Sequence, residues 1–459
     1  MFPLTVLNKA LAFVLFILGL GYAYLGLMKS SYGLGWDSYF YINQVQSWYD
    51  SGNLHAQRLN IIYPLLIAIQ FFLHDYELSY KVLTFIALAS FVSTTYLLVR
   101  AQKKTPIFAL CVTLVVWSNP QLMYFSSQFT KNLIAFSFFN LLLIALQQDQ
   151  KVKAVIACLF LLFSHKLMLG CGLLYAVHYY SGRFIEKYNY LRLLFLVAPT
   201  ILFTALCFFL KEGMLAEWHV PTYSFLTSHA QVLSTHWKVV IIASLLLVLW
   251  TLGKLLRKKS DASRHSYALL GVFLFLNNPL LVWDSLSYAY RFQMVFLVFA
   301  PLLLAELNLS RTIQIMLIGV FGISLCSSVS TYSPQKHDPP YLKYTFISLK
   351  LAQNTSFQHT KLMICHKALA EFLSFRLKKD VLPWGIAEKE WQNSTARLMY
   401  IPPEGKEECK ALLKEIRHSV IVNGYVLLDE YDFQQLIMKK SSPRLKNLFT
   451  TWRNPMSIR

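Results

Sequence analysis

The chain has 459 residues, of which 56% are hydrophobic and only 14% charged. A soluble domain of that size carries about 25% charged residues, so the composition excludes a large water-soluble protein. The net charge of +20 does not point to nucleic acid. The basic residues fall in short loops between apolar runs, where they orient membrane helices, and not on one identifiable face.

Taken in order, residues 11–27 form the first apolar run. A single Lys9 precedes it and no small-x-small cleavage site follows, so the sequence predicts a retained first helix. Residues 29–60 then form an aromatic-rich loop with Trp36, Asp37, Tyr39, Tyr41, Trp48, His55 and Arg58. A carboxylate at the membrane surface can take a proton from an incoming hydroxyl, which makes Asp37 a candidate general base. The alternative is that Asp37 caps a surface helix and the aromatics form an interfacial belt. Residues 63–73 are apolar but about half the length of a spanning helix, with Pro64 at the start, and are expected to form a juxtamembrane or re-entrant helix.

Residues 82–99 read as a span that ends at the basic loop of Arg100, Lys103 and Lys104. A Ser118-Asn119-Pro120 turn follows, then a polar stretch with Gln128, Lys131 and Asn132 that opens another span. Beyond Lys151 and Lys153, two short apolar stretches flank Ser164-His165-Lys166. Cationic side chains at a bilayer edge suit a phosphate group, although Lys166 can also simply snorkel to water. Further on stand the basic cluster from Lys254 to Arg264, the segment with Asp284, Tyr288 and Arg291, and the short loop at Arg311. Asp284 and Arg291 can serve a headgroup or pair with each other. Placing the basic loops in the cytoplasm gives about 11 crossings. The four polar clusters then fall on the opposite side, as does everything after residue 330.

Residues 332–340 are rich in Pro, Ser and Asp and read as a linker. Beyond it, strand-like runs at 361–365, 381–384, 396–401 and 425–429 alternate with helix-like runs at 368–378 and 407–417. The pattern predicts a small α/β layer with a partly parallel sheet. The expected architecture is therefore mainly α: a polytopic transmembrane bundle over residues 1–330, then a soluble extracytoplasmic α/β domain over 331–459. The seven cysteines include no Cys-x-x-Cys pair. Cys365 and Cys409 can form one disulfide if their domain lies outside the cytoplasm, and no metal-ligand cluster is evident.

This layout resembles the GT-C superfamily of membrane glycosyltransferases, which use polyprenyl-phosphate-linked sugars. The likeness rests on Asp37 with Tyr39, Tyr41, Tyr63 and Pro64, and on Ser118-Asn119-Pro120 ahead of Gln128, Lys131 and Asn132. It rests also on Ser164-His165-Lys166, on Tyr290-Arg291-Phe292 opening a late helix, and on the outer α/β domain. The resemblance implies transfer of a sugar from a lipid-phosphate donor to a glycan, lipid or protein acceptor on the outer face. Asp37 would be the base. His165, Lys166, Arg291, Lys131 and Arg58 would hold the donor phosphate, and Trp36, Tyr41, His55, Gln128, Asp284 and Tyr288 would line the substrate. No Asp-x-Asp or Glu-x-Asp stands in the first loop, so no metal or other cofactor is expected. Lys131 and Asn132 stand where members often carry a second acid. A bacterial inner membrane is the expected location, with the C-terminal domain periplasmic. A polysaccharide polymerase, a lipid-linked sugar flippase and a non-catalytic scaffold are the alternatives. None of these needs Asp37.

Overall fold

The computed structural model describes residues 6–54, 60–187, 198, 201–202, 268–272, 300–302, 304–305, 307, 309–334, 338–353, 362–364, 367–378, 381–383, 396–400, 420–422 and 425–429. The predicted helix at 407–417 lies outside them, as do Cys365 and Cys409. The chain divides into two compact units. One comprises Met1–Met28, Leu59–Ile62 and Leu83–Tyr332, the other Lys29–Arg58, Tyr63–Val82 and Ser333–Arg459. The second unit thus takes in the first outer loop together with the residues after 332.

The first unit is helical. It contains α1 (Val6–Leu27) and most of α4 (Tyr76–Ala101). It continues through α5 (Pro106–Trp117), α6 (Pro120–Gln128), α7 (Thr130–Gln147), α8 (Lys151–Ser164), α9 (Lys166–Lys187) and α10 (Arg311–Thr331). Among the described residues, α1, α4, α7 and α10 are long and apolar enough to cross a membrane, with α5 and α6 a fifth candidate bent by 63°. The bend falls at Ser118-Asn119-Pro120, where proline cannot donate to the helical ladder. α1 and α4 lie close together: a Cβ on Gly19 would come within 2.9 Å of the Ala89 Cα, so only glycine fits there.

Hydrogen bonds sort the ends of these helices. Arg100 Nε donates to Asn8 Oδ1 at 2.8 Å, and Ser93 Oγ to the Ala12 carbonyl at 2.9 Å. Toward the other end, the hydroxyls of Tyr22 and Ser328 are 2.8 Å apart, and those of Thr84 and Thr130 2.9 Å. The C-terminal end of α1 thus lies with those of α6 and α10 and the N-terminal end of α7. Phe13, Ile17 and Leu18 on α1, Ile156 and Leu159 on α8, and Met316, Val320 and Ile323 on α10 are exposed. Exposed apolar rows of this kind suit lipid and would be unfavourable in water.

The second unit contains α2 (Ser38–Ser51), α3 (Ile62–Leu73) from its second residue, and the first turns of α4. It also holds α11 (Tyr341–Gln353), α12 (Lys367–Leu377) and a five-stranded sheet. α3 is the short apolar helix expected from residues 63–73, with Pro64 in its first turn. The strands are β1 (Leu362–Ile364), β2 (Val381–Pro383), β3 (Ala396–Tyr400), β4 (Val420–Val422) and β5 (Tyr425–Asp429), in the order β2-β1-β3-β5-β4. β1 pairs parallel with β2 and β3, while β5 pairs antiparallel with β3 and β4. Parallel neighbours need a crossover, and α12 supplies it between β1 and β2. The core between α2, α11 and α12 is aromatic. Tyr39, Tyr341, Tyr344 and Phe372 are buried, and the Phe372 ring lies 4.9 Å from that of Tyr39 and 5.6 Å from that of Tyr341.

Candidate functional site

The loop from α1 to α2 carries Trp36 and Asp37 and is fixed at every few residues. Lys81 Nζ donates to the Ser30 carbonyl at 2.6 Å. The Gly33 N–H donates to Tyr39 Oη at 3.2 Å, and that hydroxyl donates in turn to Glu77 Oε1 at 2.5 Å. Glu77 Oε1 also meets Arg376 Nη2 at 3.2 Å. At Gly35 the backbone takes φ 73°, a left-handed conformation that glycine adopts without steric cost. Its N–H donates to Asp338 Oδ1 at 2.9 Å, and its carbonyl accepts from the Tyr341 hydroxyl. Ser38 Oγ lies 3.3 Å from that carbonyl and 3.2 Å from Tyr341 Oη.

Between these pins sits Asp37, at the N-cap position of α2 with φ −105° and ψ 0°, and its side chain makes no capping hydrogen bond. Those angles lie in the sparsely allowed bridge region, where many active-site residues are found. The capping role open to Asp37 in the sequence is therefore not the one its carboxylate takes. Trp36 and Asp37 are half-buried, and Tyr41 on α2 stacks on Tyr80 at 6.1 Å and 12°, with Tyr63 6.2 Å away.

Two phenols here hold their protons tightly. Burial pushes Tyr39 well above the ordinary tyrosine range, and the Glu77 carboxylate adds to the effect. Burial likewise pushes Tyr341 well up. The hydrogen bond with Ser38 works against it, while the charges of Asp338 and Asp37 reinforce it. Both hydroxyls therefore remain donors at neutral pH.

Gln128, Lys131, His165 and Lys166 belong to the first unit. Gln128 ends α6 and is buried, and Gln128 Nε2 donates to Ser127 Oγ at 3.3 Å. Lys131 stands in the first turn of α7 and is half-buried. α7 and α8 form an antiparallel hairpin that turns at Asp149, which has φ 55°. The Phe138 and Phe160 rings stack across it at 4.7 Å. These two residues lie equally far from Asp149 along the chain. At about 1.5 Å rise per residue, Lys131 then comes level with His165 and Lys166.

His165 is the extended break between α8 and α9, with φ −157° and ψ 111°. Its N–H closes α8 on the Leu161 carbonyl at 2.8 Å, and its carbonyl accepts the Leu169 N–H of α9 at 3.0 Å. Helix breaks expose backbone groups that need partners, and the end of the first outer loop supplies them. Asn60 Nδ2 donates to the Ser164 carbonyl at 3.2 Å, and the Ile61 N–H to that of Phe163 at 2.9 Å.

The structure thus brings Trp36, Asp37 and Tyr41 together on one loop and helix, and Gln128, Lys131, His165 and Lys166 toward one end of the helical unit. His55, Arg58, Asp284, Tyr288 and Arg291 lie outside the described residues. Among those residues, no group of three His, Cys, Asp or Glu side chains stands together as a metal site. Glu77, Asp338, Tyr341 and Asn60 were not read from the sequence, because each acts through a distant partner.

A mainly helical chain with these apolar spans and a polar end is an integral membrane protein. Its fold is similar to that of two solved structures of ArnT from Cupriavidus metallidurans, a protein of the superfamily the sequence resembles. The chain is 13% identical to the structure bound to undecaprenyl phosphate, with a TM-score of 0.50 over 92% of this chain and 97% of that one. To the apo structure it is 12% identical, with a TM-score of 0.53 and the same coverage. No protein-family model and no curated protein matches the chain.

Proposed function

We propose that the chain is a membrane glycosyltransferase that moves a sugar from a polyprenyl-phosphate donor to an acceptor on the outer face of the membrane. The observation that carries the reading is the likeness over 92% of the chain to ArnT, one structure of which holds undecaprenyl phosphate. In this scheme Asp37 removes the proton from an acceptor hydroxyl as its oxygen attacks the anomeric carbon. The bond from that carbon to the phosphate oxygen breaks, and the polyprenyl phosphate leaves with both electrons. A positioned base contributes about 10²–10⁴-fold. Cations at the leaving phosphate stabilise the charge that develops on it. His165, Lys166 and Lys131, with Arg58 and Arg291, fill that role, while Trp36, Tyr41, His55, Gln128, Asp284 and Tyr288 line the sugar and acceptor. Residues 331–459 are the extracytoplasmic α/β domain of a bundle of about 11 spans, placed in a bacterial inner membrane.

The test is release of undecaprenyl phosphate from a panel of undecaprenyl-phosphate pentoses and hexoses. The protein is reconstituted in nanodiscs, and acceptor is supplied as an extract of the host membranes. The reading expects turnover by the wild-type chain and none by Asp37→Asn. Equal, non-zero rates in the two would overturn the role of Asp37, and no release by either would overturn the transfer and favour a flippase or a scaffold.

A further inference from the structure

The C-terminal segment supplies part of the loop that presents Asp37. We infer that Asp338 and Tyr341 are positioning residues for Asp37, gripping the N–H and the carbonyl of Gly35 so that the carboxylate two residues on is held in one place. The inference rests on the reading of Asp37 as the base.

Asp338 is buried and accepts the Gly35 N–H at 2.9 Å. Tyr341, three residues on, donates to the carbonyl of the same glycine. Its hydroxyl also lies 3.2 Å from Ser38 Oγ. Trp36 and Asp37 are therefore the only residues between two fixed points, Gly35 and Ser38. Two residues between fixed ends have few conformations left, so the entropy of ordering the base is met when the chain folds and not at each turnover. The anchor itself is rigid: the Tyr341 ring packs against Tyr39 at 5.1 Å, Phe372 at 5.6 Å and Tyr344 at 5.9 Å.

Tyr341→Phe keeps that ring packing and deletes only the hydroxyl. The expected result is a fall in kcat of about 10-fold or more, because a small misplacement of a catalytic group is costly. KM for the donor and the Kd for undecaprenyl phosphate should stay within about twofold, which a general loss of structure would not leave intact. Asp338→Ala should behave alike, and Asp338→Asn, which keeps an oxygen acceptor, should recover most of the loss.

Hydrogen–deuterium exchange supplies a readout that needs no substrate. Amides of residues 33–38 should exchange about 3- to 10-fold faster in Tyr341→Phe, with the rest of the chain unchanged. Unchanged exchange in that segment overturns the inference. So does a kcat within twofold of wild type in both Tyr341→Phe and Asp338→Ala. Full turnover by Asp37→Asn instead sinks the reading of the base, and the exchange measurement still decides whether the grip holds the loop.

Discussion

Asn60 and Ser164 are 104 residues apart in the chain, and a hydrogen bond of 3.2 Å from the Asn60 amide to the Ser164 carbonyl joins them. The same side chain accepts the Ile62 N–H at 3.1 Å, so one asparagine opens α3 and closes α8. Removing it in Asn60→Ala should cost about 0.5–1.5 kcal/mol per bond lost. It should also loosen the break that presents His165. A lower Tm together with undecaprenyl phosphate binding weakened about 2- to 10-fold is the expected outcome, with the affinity read by titration in nanodiscs.

The donor phosphate gives a sharper test of the cations. Lys166→Ala and Arg291→Lys should each weaken undecaprenyl phosphate binding about 10-fold. Arginine grips two phosphate oxygens at once, which lysine cannot copy although the charge is kept. Equilibrium titration checks this. Unchanged affinity in both variants removes the assignment.

Tyr39 links the loop to α4, because its hydroxyl donates to Glu77 at 2.5 Å. Glu77→Ala leaves that buried hydroxyl without its acceptor, so a loss of about 1–3 kcal/mol is expected. Arg376 meets the same carboxylate at 3.2 Å but is 38% exposed. Water and salt screen such a pair, and Arg376→Ala should cost less than about 1 kcal/mol. Thermal unfolding of the two single variants separates the roles.

The raised Tyr39 and Tyr341 give stability a defined pH dependence. Above about pH 10 an unfolded tyrosine loses its proton while these two keep theirs. The unfolded state then binds fewer protons, so stability falls as pH rises beyond that point and is fully present below it. Tm measured from pH 8 to 11 should decline more steeply in the wild type than in a Tyr39→Phe/Tyr341→Phe double variant.

Inside the helical unit, Asn140 Nδ2 donates to the hydroxyls of Thr94 and Thr95, each at 3.2 Å, while its buried Oδ1 meets no hydrogen-bond partner among the described residues. Thr94 and Thr95 also donate to the carbonyls of Ser90 and Phe91. Asn140→Leu therefore strands no donor, and bonds of this kind between membrane helices average about 0.6 kcal/mol. A Tm within a few degrees of wild type is expected. A collapse of the folded protein would show that the pair of threonines depends on the asparagine.

Much of this was readable along the chain, because apolar length and period are local properties. Runs of apolar residues located α1 and α4, and the half-length run with Pro64 located α3. The polar interruption at His165 marked the break between α8 and α9. The hairpin of β4 and β5 was half missed, although Asn423-Gly424 joins Val422 to Tyr425 and is a strong turn signal. For α2 the sequence leaves an aromatic loop and a surface helix beginning at Asp37 both open, since its aromatic and polar residues show no clear apolar stripe. The grip on Gly35 could not be read at all. Contacts over 303 and 306 residues leave no periodicity, and Asp338 looks like any linker aspartate beside prolines.

That long separation carries a consequence for biosynthesis. Gly35 leaves the ribosome 303 residues ahead of Asp338, which at about 5–20 residues per second is roughly 15–60 s. For that interval the nascent chain carries Asp37 on a loop whose two anchors do not yet exist. A ribosome that stalls or a protease that cuts before residue 338 leaves a membrane protein whose early helices are already made while its carboxylate has no fixed station.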